Sequence, residues 1–417
     1  MEKHKIKLSG YVVYLIGFLT LLISFYLDID GSYKPLSGDF RETWPYVILL
    51  KNSFMIDPYP YTMHFPLHYY ILSKLNFLFS NPDDVRLIFC IFSFITPYLF
   101  FLCLKNKYQA TNLNTLFILS SIILFTPSYI YSAVWANDNN LSYMFILIGT
   151  LYFYKYFDAD NTENKKNINL YCSFLFFALA CYSRQYYSVF YAIFLVYFYQ
   201  KMEFKKFFLL LIYSGLMAIP GLYFLYRFPS LYTNLAFSGN IFNTILGNVV
   251  SISIYTFPIL LLNFLYSDFK IFKLKKVINY SAISLSIFIL IIFNYNIDSM
   301  GANGGIFFIG SKLIFGNYFL FYLIFLINFT VILIIFNDKS DLLILFSILV
   351  VISGFITLQK YFEPLFFIIV AILCKNFLID NVLKSQKNTL IFYGLVLLYF
   401  FIAQINLFNN FSLNLVI

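Results

Sequence analysis

Charge is what this chain has least of. Only 11% of its 417 residues are Asp, Glu, Lys or Arg, against about a quarter in a soluble domain. With 61% hydrophobic residues, there is too little polar surface to clothe a water-soluble fold, so the composition is that of a membrane protein. Cysteine and tryptophan are also scarce, at five and two. Cys90, Cys103, Cys172, Cys181 and Cys374 fall in or beside apolar runs with no CxxC pair, which leaves neither a disulfide framework nor a cysteine metal site. No GxSxG, HExxH or Ser/His/Asp arrangement is present. Gly301, Gly304 and Gly305 lack both the GxxxxGKS order and a preceding strand, so they do not support a nucleotide P-loop. No internal repeat is visible, which weighs against a transporter built from two related halves.

What fills the chain is apolar sequence in runs near the ~20 residues that cross a bilayer core. They cover 8–27, 86–104, 112–131, 140–156, 168–183, 186–200, 207–226, 243–266, 277–294, 313–336, 342–358, 362–379 and 389–408. The expectation is an all-α polytopic membrane protein of about thirteen transmembrane helices, forming a single integral-membrane domain over 1–417. The N-terminal MEKHKIK followed by an apolar run resembles a signal peptide. No small-residue cleavage site follows, so it reads as an uncleaved first span. The fifth and sixth runs meet at Ser183-Arg184-Gln185, as a tight helical hairpin or as one long helix.

Lysine placement orients these runs. With the N-terminus cytoplasmic, nineteen of the 28 basic residues fall on the inner side and nine on the outer side or at span ends. The formal charge of +9 is thereby a matter of topology, and no nucleic-acid partner is expected. The same bias favours the hairpin, because an uninterrupted helix would invert every later loop. Outer charges are few, mixed in sign and close to span ends, where isolated ionisable groups are functional candidates.

The longest stretch without a span is the first outer loop, 28–84. Phe40 to Phe54 and Leu67 to Phe79 read as interfacial amphipathic helices separated by Pro58, Pro60 and Pro66. Asp39, just before the first of them, is placed to act as a general base toward a hydroxyl, with Glu42 one turn away as its rival. The alternative is a surface cap over the bundle. His64 and His68 are spaced to share a helix face, but Pro66 lies between them and no third ligand is evident. They read as part of a wet aromatic rim, and no metal site is expected.

Three further stretches carry polar groups on the same side. Trp135-Ala136-Asn137-Asp138-Asn139-Asn140 is either a turn and helix cap or a pocket floor for sugar hydroxyls. Arg184-Gln185-Tyr186-Tyr187 runs against the charge bias, and a guanidinium there suits bidentate phosphate binding. In Lys360-Tyr361-Phe362-Glu363-Pro364, Lys360 either pairs with Glu363 or adds a second positive charge for a phosphate.

These motifs, in this order, resemble those of the lipid-phosphate-sugar-dependent glycosyltransferases of the GT-C class, nearest to the dolichyl-phosphate-glucose α-1,2-glucosyltransferases. Asp39 matches the aspartate of that family's early acidic motif, with Phe40 where the family has Glu. Asp57-Pro58, Thr62, Pro66 and Tyr69 follow its next motif in outline. Asn137-Asp138, Arg184-Gln185 and Lys360-Tyr361-Phe362 parallel later ones, with lysine in place of arginine in the last. The likeness extends over about residues 8–370. It implies sugar transfer from a polyprenyl-phosphate-linked donor to a glycan or lipid-linked acceptor among membrane lipids, on the non-cytoplasmic side, without cofactor or metal. By the same resemblance, Asp39 or Glu42 is the base, Arg184 and Lys360 hold the donor phosphate, and Asp57, Asp138, Gln185 and Tyr361 meet sugar or acceptor. A multi-pass protein of the bacterial inner membrane, or of the endoplasmic reticulum if eukaryotic, is expected. A surface-polysaccharide polymerase or ligase and a lipid-linked oligosaccharide flippase are the alternatives.

Overall fold

The computed structural model describes residues 6–27, 37–53, 55–60, 63–78, 81–158, 162–229, 241–266, 276–292, 305–336, 338–351, 363–374 and 378–414. Within some helices the side chains of certain residues, Asp39 and Arg41 among them, lie outside that description. Among the described residues every regular element is helical. Two compact units form, one from Met1–Thr233 with Phe400–Ile417 and the other from Asn234–Tyr399.

In the first unit α1 (Leu8–Tyr26), α2 (Ser37–Leu49), α3 (Leu67–Leu78), α4 (Pro82–Ser93), α5 (Ile95–Lys107), α6 (Leu113–Ser121) and α7 (Pro127–Val134) follow in order. They are succeeded by α8 (Asp138–Phe157), α9 (Glu163–Ser183), α10 (Ser188–Lys201) and α11 (Phe204–Arg227). Asparagine starts several of them. The side chains of Asn81, Asn112 and Asn137 accept from the backbone N–H two residues on, capping α4, α6 and α8. Pro82 and Pro127 sit at first-turn positions, where a missing N–H costs nothing.

Among the described residues four helices are long and apolar enough to cross a membrane: Leu8–Tyr26, Pro82–Lys107, Phe204–Arg227 and Ile245–Leu262. A fifth is reached if Leu113–Phe125 and Pro127–Val134, bent by 67° at Thr126, count as one broken span. The other apolar runs that fall within the described residues are helical too, but shorter or charged at an end. Helix α10 has 14 residues, about 21 Å of rise against a hydrocarbon core of about 30 Å. Helix α9 opens with Glu163, Lys165 and Lys166. Between α1 and α4, where the sequence predicts an outer loop, the helices fall at Ser37–Leu49 and Leu67–Leu78. The first starts three residues earlier than its apolar pattern suggested, which puts Asp39 inside its opening turn.

Residues 183–188 settle the hairpin question. Helix α9 ends at Ser183, Arg184 is extended, a single 3-10 turn covers Gln185–Tyr187, and α10 begins at Ser188. Phe177 stacks on Phe194 at 4.2 Å, and Phe174 meets Phe198 at 5.7 Å, so the two helices run antiparallel. Helix α8 lies against α9 where Gly149 lets the backbones approach. The Ser173 hydroxyl donates to the Gly149 carbonyl at 2.8 Å, and small residues at such crossings are what apolar helix pairs need.

In the second unit α12 (Ile241–Tyr266) pairs with α15 (Phe319–Ile335), α13 (Lys276–Ile292) and α14 (Gly305–Phe315) lying between them in the chain. The buried amide of Asn328 donates to the Val249 carbonyl and accepts from the Thr256 hydroxyl. Such a side chain joins two apolar helices by satisfying its own polar atoms. Helices α16 (Lys339–Val351), α17 (Leu365–Ile372), α18 (Leu378–Leu383) and α19 (Gln386–Asn414) complete the order.

Gly149 gives the packing a direct test. A Cβ there would stand 2.7 Å from Phe177 Cε1 and 3.1 Å from the Ser173 carbonyl oxygen, and Phe177 is fully buried. Gly149→Ala is expected to lower stability by about 1–3 kcal/mol, read as thermal unfolding in detergent. An unchanged melting temperature would mean that α8 and α9 are not this close.

Candidate functional site

The segment between α2 and α3 folds onto the start of α8 and the break between α9 and α10. Three stretches that are far apart in sequence meet there. The centre is an ion pair: Arg184 Nη1 donates to Asp138 Oδ1 at 2.7 Å, with the two side chains 3% and 2% exposed. Each residue owes its position to a helix end. Asp138 opens α8 directly after the Asn137 cap. Arg184 is the first non-helical residue after α9, and its extended backbone turns the side chain away from the helix path. Charges removed from water this fully are tolerated when paired.

His64 stands at the edge of the pair. Its Nδ1 lies 3.1 Å from Gln185 Oε1 and its Nε2 3.7 Å from Asp138 Oδ2, with the ring edge-on to Tyr186 at 5.5 Å. Arg184 covers the same Tyr186 ring at 5.2 Å. The backbone at His64 is clamped from both directions. Tyr59 Oη donates to its carbonyl at 2.6 Å, and its N–H donates to Tyr69 Oη at 3.3 Å. Burial, and then the Asp138 charge, push both phenols above their usual range, so they remain protonated.

His68 is fully enclosed and does something different. Its Nε2–H donates to the Ala136 carbonyl at 2.8 Å. Among the described residues no group hydrogen-bonds Nδ1. Ala136 sits at φ 47°, the left-handed position that ends α7. Asn137 N–H donates back to the Ser132 carbonyl at 2.8 Å, as a helix C-terminal turn requires. The His68 bond therefore holds the turn from which Asp138 emerges.

Arg86 braces that turn from the other side. Its guanidinium lies 3.9 Å above the Trp135 ring, with Phe25 at 5.1 Å and Phe40 at 5.8 Å. Nε donates to the Val134 carbonyl at 3.1 Å and Nη1 to Asp83 at 2.7 Å. Phe40 is the neighbour of Asp39, so the opening of α2 and the Asp138 turn share one cation.

Of the residues singled out in the sequence, Asp138, Arg184 and Gln185 come together. Asp39 lies in the first turn of α2, and its side chain falls outside the described residues. Glu42 is on α2 and exposed. Asp57 is exposed and paired with Arg227 at 2.8 Å. Lys360 and Tyr361 lie outside the described residues. Glu363 is buried and accepts the Tyr399 hydroxyl at 2.7 Å within the second unit. The residues passed over were His64, His68 and Arg86. The two histidines were weighed as a metal pair, whereas each takes a separate partner on the Asp138 side. Among the described residues no cluster of three or more His, Cys, Asp or Glu side chains is arranged to hold a metal ion. Comparison with protein-family models, with curated proteins and with solved structures finds no match.

His68 makes the site sensitive to acid. Burial pushes its imidazole below the ordinary range and Arg184 pushes the same way. The Asp138 charge and the bond to Ala136 oppose them. The native state thus holds His68 neutral, while the unfolded chain takes up a proton near pH 6.5 or so. The stability from the neutral ring is complete above about pH 6.5 and is lost as pH falls through that value and below it. His68→Gln, which keeps a donor for Ala136, is expected to melt with a flatter acid limb than the parent. Parallel limbs would show that His68 is not the titrating group.

Proposed function

We propose that this chain is an integral-membrane glycosyltransferase that takes a monosaccharide from a polyprenyl-phosphate-linked donor to a glycan or lipid-linked acceptor on the non-cytoplasmic side. In this reading the chain crosses the membrane about thirteen times from a cytoplasmic N-terminus, and α2 and α3 lie at the outer surface. The observation that supports it most is the convergence of three motifs on one site. The outer-loop segment carrying His64 rests on Asp138 and Arg184, the residues that parallel later family motifs. Its weight is in the arrangement, since each motif alone is short.

Asp39 is the proposed base, with Glu42 one turn along the helix. The carboxylate takes the proton of the acceptor hydroxyl as its oxygen attacks the anomeric carbon. The bond from that carbon to the phosphate oxygen breaks, and its electron pair leaves with the lipid phosphate. Cations and oriented donors beside the departing oxygen stabilise it, the largest contribution in many active sites. Arg184 and Lys360 are the proposed cations that hold that phosphate, and Asp57, Asp138, Gln185 and Tyr361 are the proposed contacts to sugar or acceptor. The location of Phe40 on Arg86 beside Trp135 supports placing Asp39 near the Asp138 turn.

Membranes carrying the protein, supplied with a radiolabelled polyprenyl phosphate-sugar, are expected to release free lipid phosphate as label moves to acceptor. Asp39→Asn should slow that transfer by at least about a hundredfold while melting like the parent. Label that crosses the membrane without reacting would mean transport instead. Transfer by the Asn variant at the parental rate would remove Asp39 as the base.

A further inference from the structure

We propose that the segment carrying Tyr59 and Phe65 is a gate over the Asp138–Arg184 pair, moved by the last turns of α11 as an arm that hinges at Pro220 and Tyr182. The two side chains of the pair are only 2% and 3% exposed, so a ligand reaches Arg184 only when the chain over it moves. This holds for whatever ligand the pair takes and is independent of the donor chemistry proposed above.

Helix α11 divides in two at Pro220. A proline has no N–H to give to the carbonyl one turn back, here that of Leu216. Helices bend where the ladder is interrupted or a side chain enters it, and Tyr182 enters at this point. Its hydroxyl donates to the Met217 carbonyl and accepts from the Gly221 N–H at 3.0 Å. In an uninterrupted α-helix those two backbone groups serve each other. Gly221 leaves room for the ring, since a Cβ there would stand 3.2 Å from Tyr182 Cε1. Before the break α11 is fixed to its neighbours. The Tyr213 hydroxyl donates to the Tyr171 carbonyl at 3.3 Å, and the Phe207 ring meets Tyr199 at 5.3 Å.

Beyond the break α11 holds the segment instead. The Phe224 and Phe228 rings lie 5.1 Å and 5.0 Å from Tyr59, and Phe224 lies 5.9 Å from Phe65. Arg227 Nη2 donates to Asp57 Oδ2 at 2.8 Å. The aromatic contacts are buried, but the ion pair that latches them is 55% and 65% exposed, where salt screens it. The other side of the arm is open, with Leu222, Tyr223 and Tyr226 exposed. Tyr182 connects this arm to the site. Its ring lies 5.9 Å from Phe65, and it precedes Ser183 and Arg184 at the end of α9. The same segment sets His64 against Gln185 and Asp138, so lifting it uncovers the pair.

The test is backbone hydrogen exchange, read peptide by peptide on the full-length protein in detergent. In the parent, raising salt from about 0.05 M to about 1 M should speed exchange over 55–60 and 221–228 together by about two- to fivefold, the weight of an exposed ion pair. Residues 184–188 should follow. Arg227→Gln should show the faster rate at both salt concentrations. Tyr182→Phe, which keeps the ring and loses the bridge, should speed 217–228 and 55–60 alike and leave 168–178 of α9 at the parental rate. Parental exchange that ignores salt over both segments would overturn the latch and the gate with it, and needs no variant to fold. A rise over 55–60 with 221–228 unchanged would overturn the arm. A rise over both with 184–188 still protected would show that the segment does not cover the pair, and would overturn the gate.

Discussion

The Arg184–Asp138 pair is the constraint on which the rest of the site depends. Two opposite charges withdrawn almost wholly from water are stable only together. Removing one partner from such a pair costs about 3–5 kcal/mol, because the other is left charged and buried. The pair therefore fixes two helix ends against each other, the start of α8 and the end of α9. It also creates a field in an otherwise apolar region. That field reaches Tyr59, Tyr69 and His68, whose protonation all responds to the Asp138 charge.

Around this centre the protein uses short polar contacts to hold chain that is not helical. The segment between α2 and α3 contains prolines, and Tyr59 and Tyr69 hold it through the His64 peptide groups. The turn after α7 adopts a left-handed residue without glycine and is held by His68 and Arg86. Aromatic residues serve the same end. Trp135 and Phe40 form the faces on which the Arg86 charge rests, and such contacts strengthen when the cation is removed from water. The scarcity of charge in the sequence is thus matched by close placement of the few charges within the first unit.

Hydropathy made most of the helices legible, because a helix in an apolar setting needs only length and composition to declare itself. The break at Arg184 was legible for the same reason: Ser183-Arg184-Gln185 interrupts two apolar runs, and the structure turns the chain there. The turn-and-cap reading of Asn137-Asp138 is what the structure shows, with Asn137 capping α8. The sixth apolar run, 186–200, was already short of a full span, and the helix that forms there, α10, has 14 residues. Hydropathy could not show that Asp138 and Arg184 are partners. They are 46 positions apart, and their pairing is set by how α8 and α9 cross at Gly149, a three-dimensional fact. Pro66 does separate His64 and His68, since α3 begins only at Leu67, but the reading of both as a wet rim fails at His68, which is fully buried against the Ala136 carbonyl.

The most direct measurement is a double-mutant cycle on the central pair, with Asp138→Asn, Arg184→Gln and both together. Unfolding would be followed in detergent, and backbone hydrogen exchange at residues 63–70 alongside it. The expected result is that each single change is costly and that the double change costs less than their sum by about 1–3 kcal/mol. Exchange at 63–70 should rise in both single variants, because the segment rests on the pair. Additive costs, together with unchanged exchange over those residues, would contradict the claim that this ion pair organises the site.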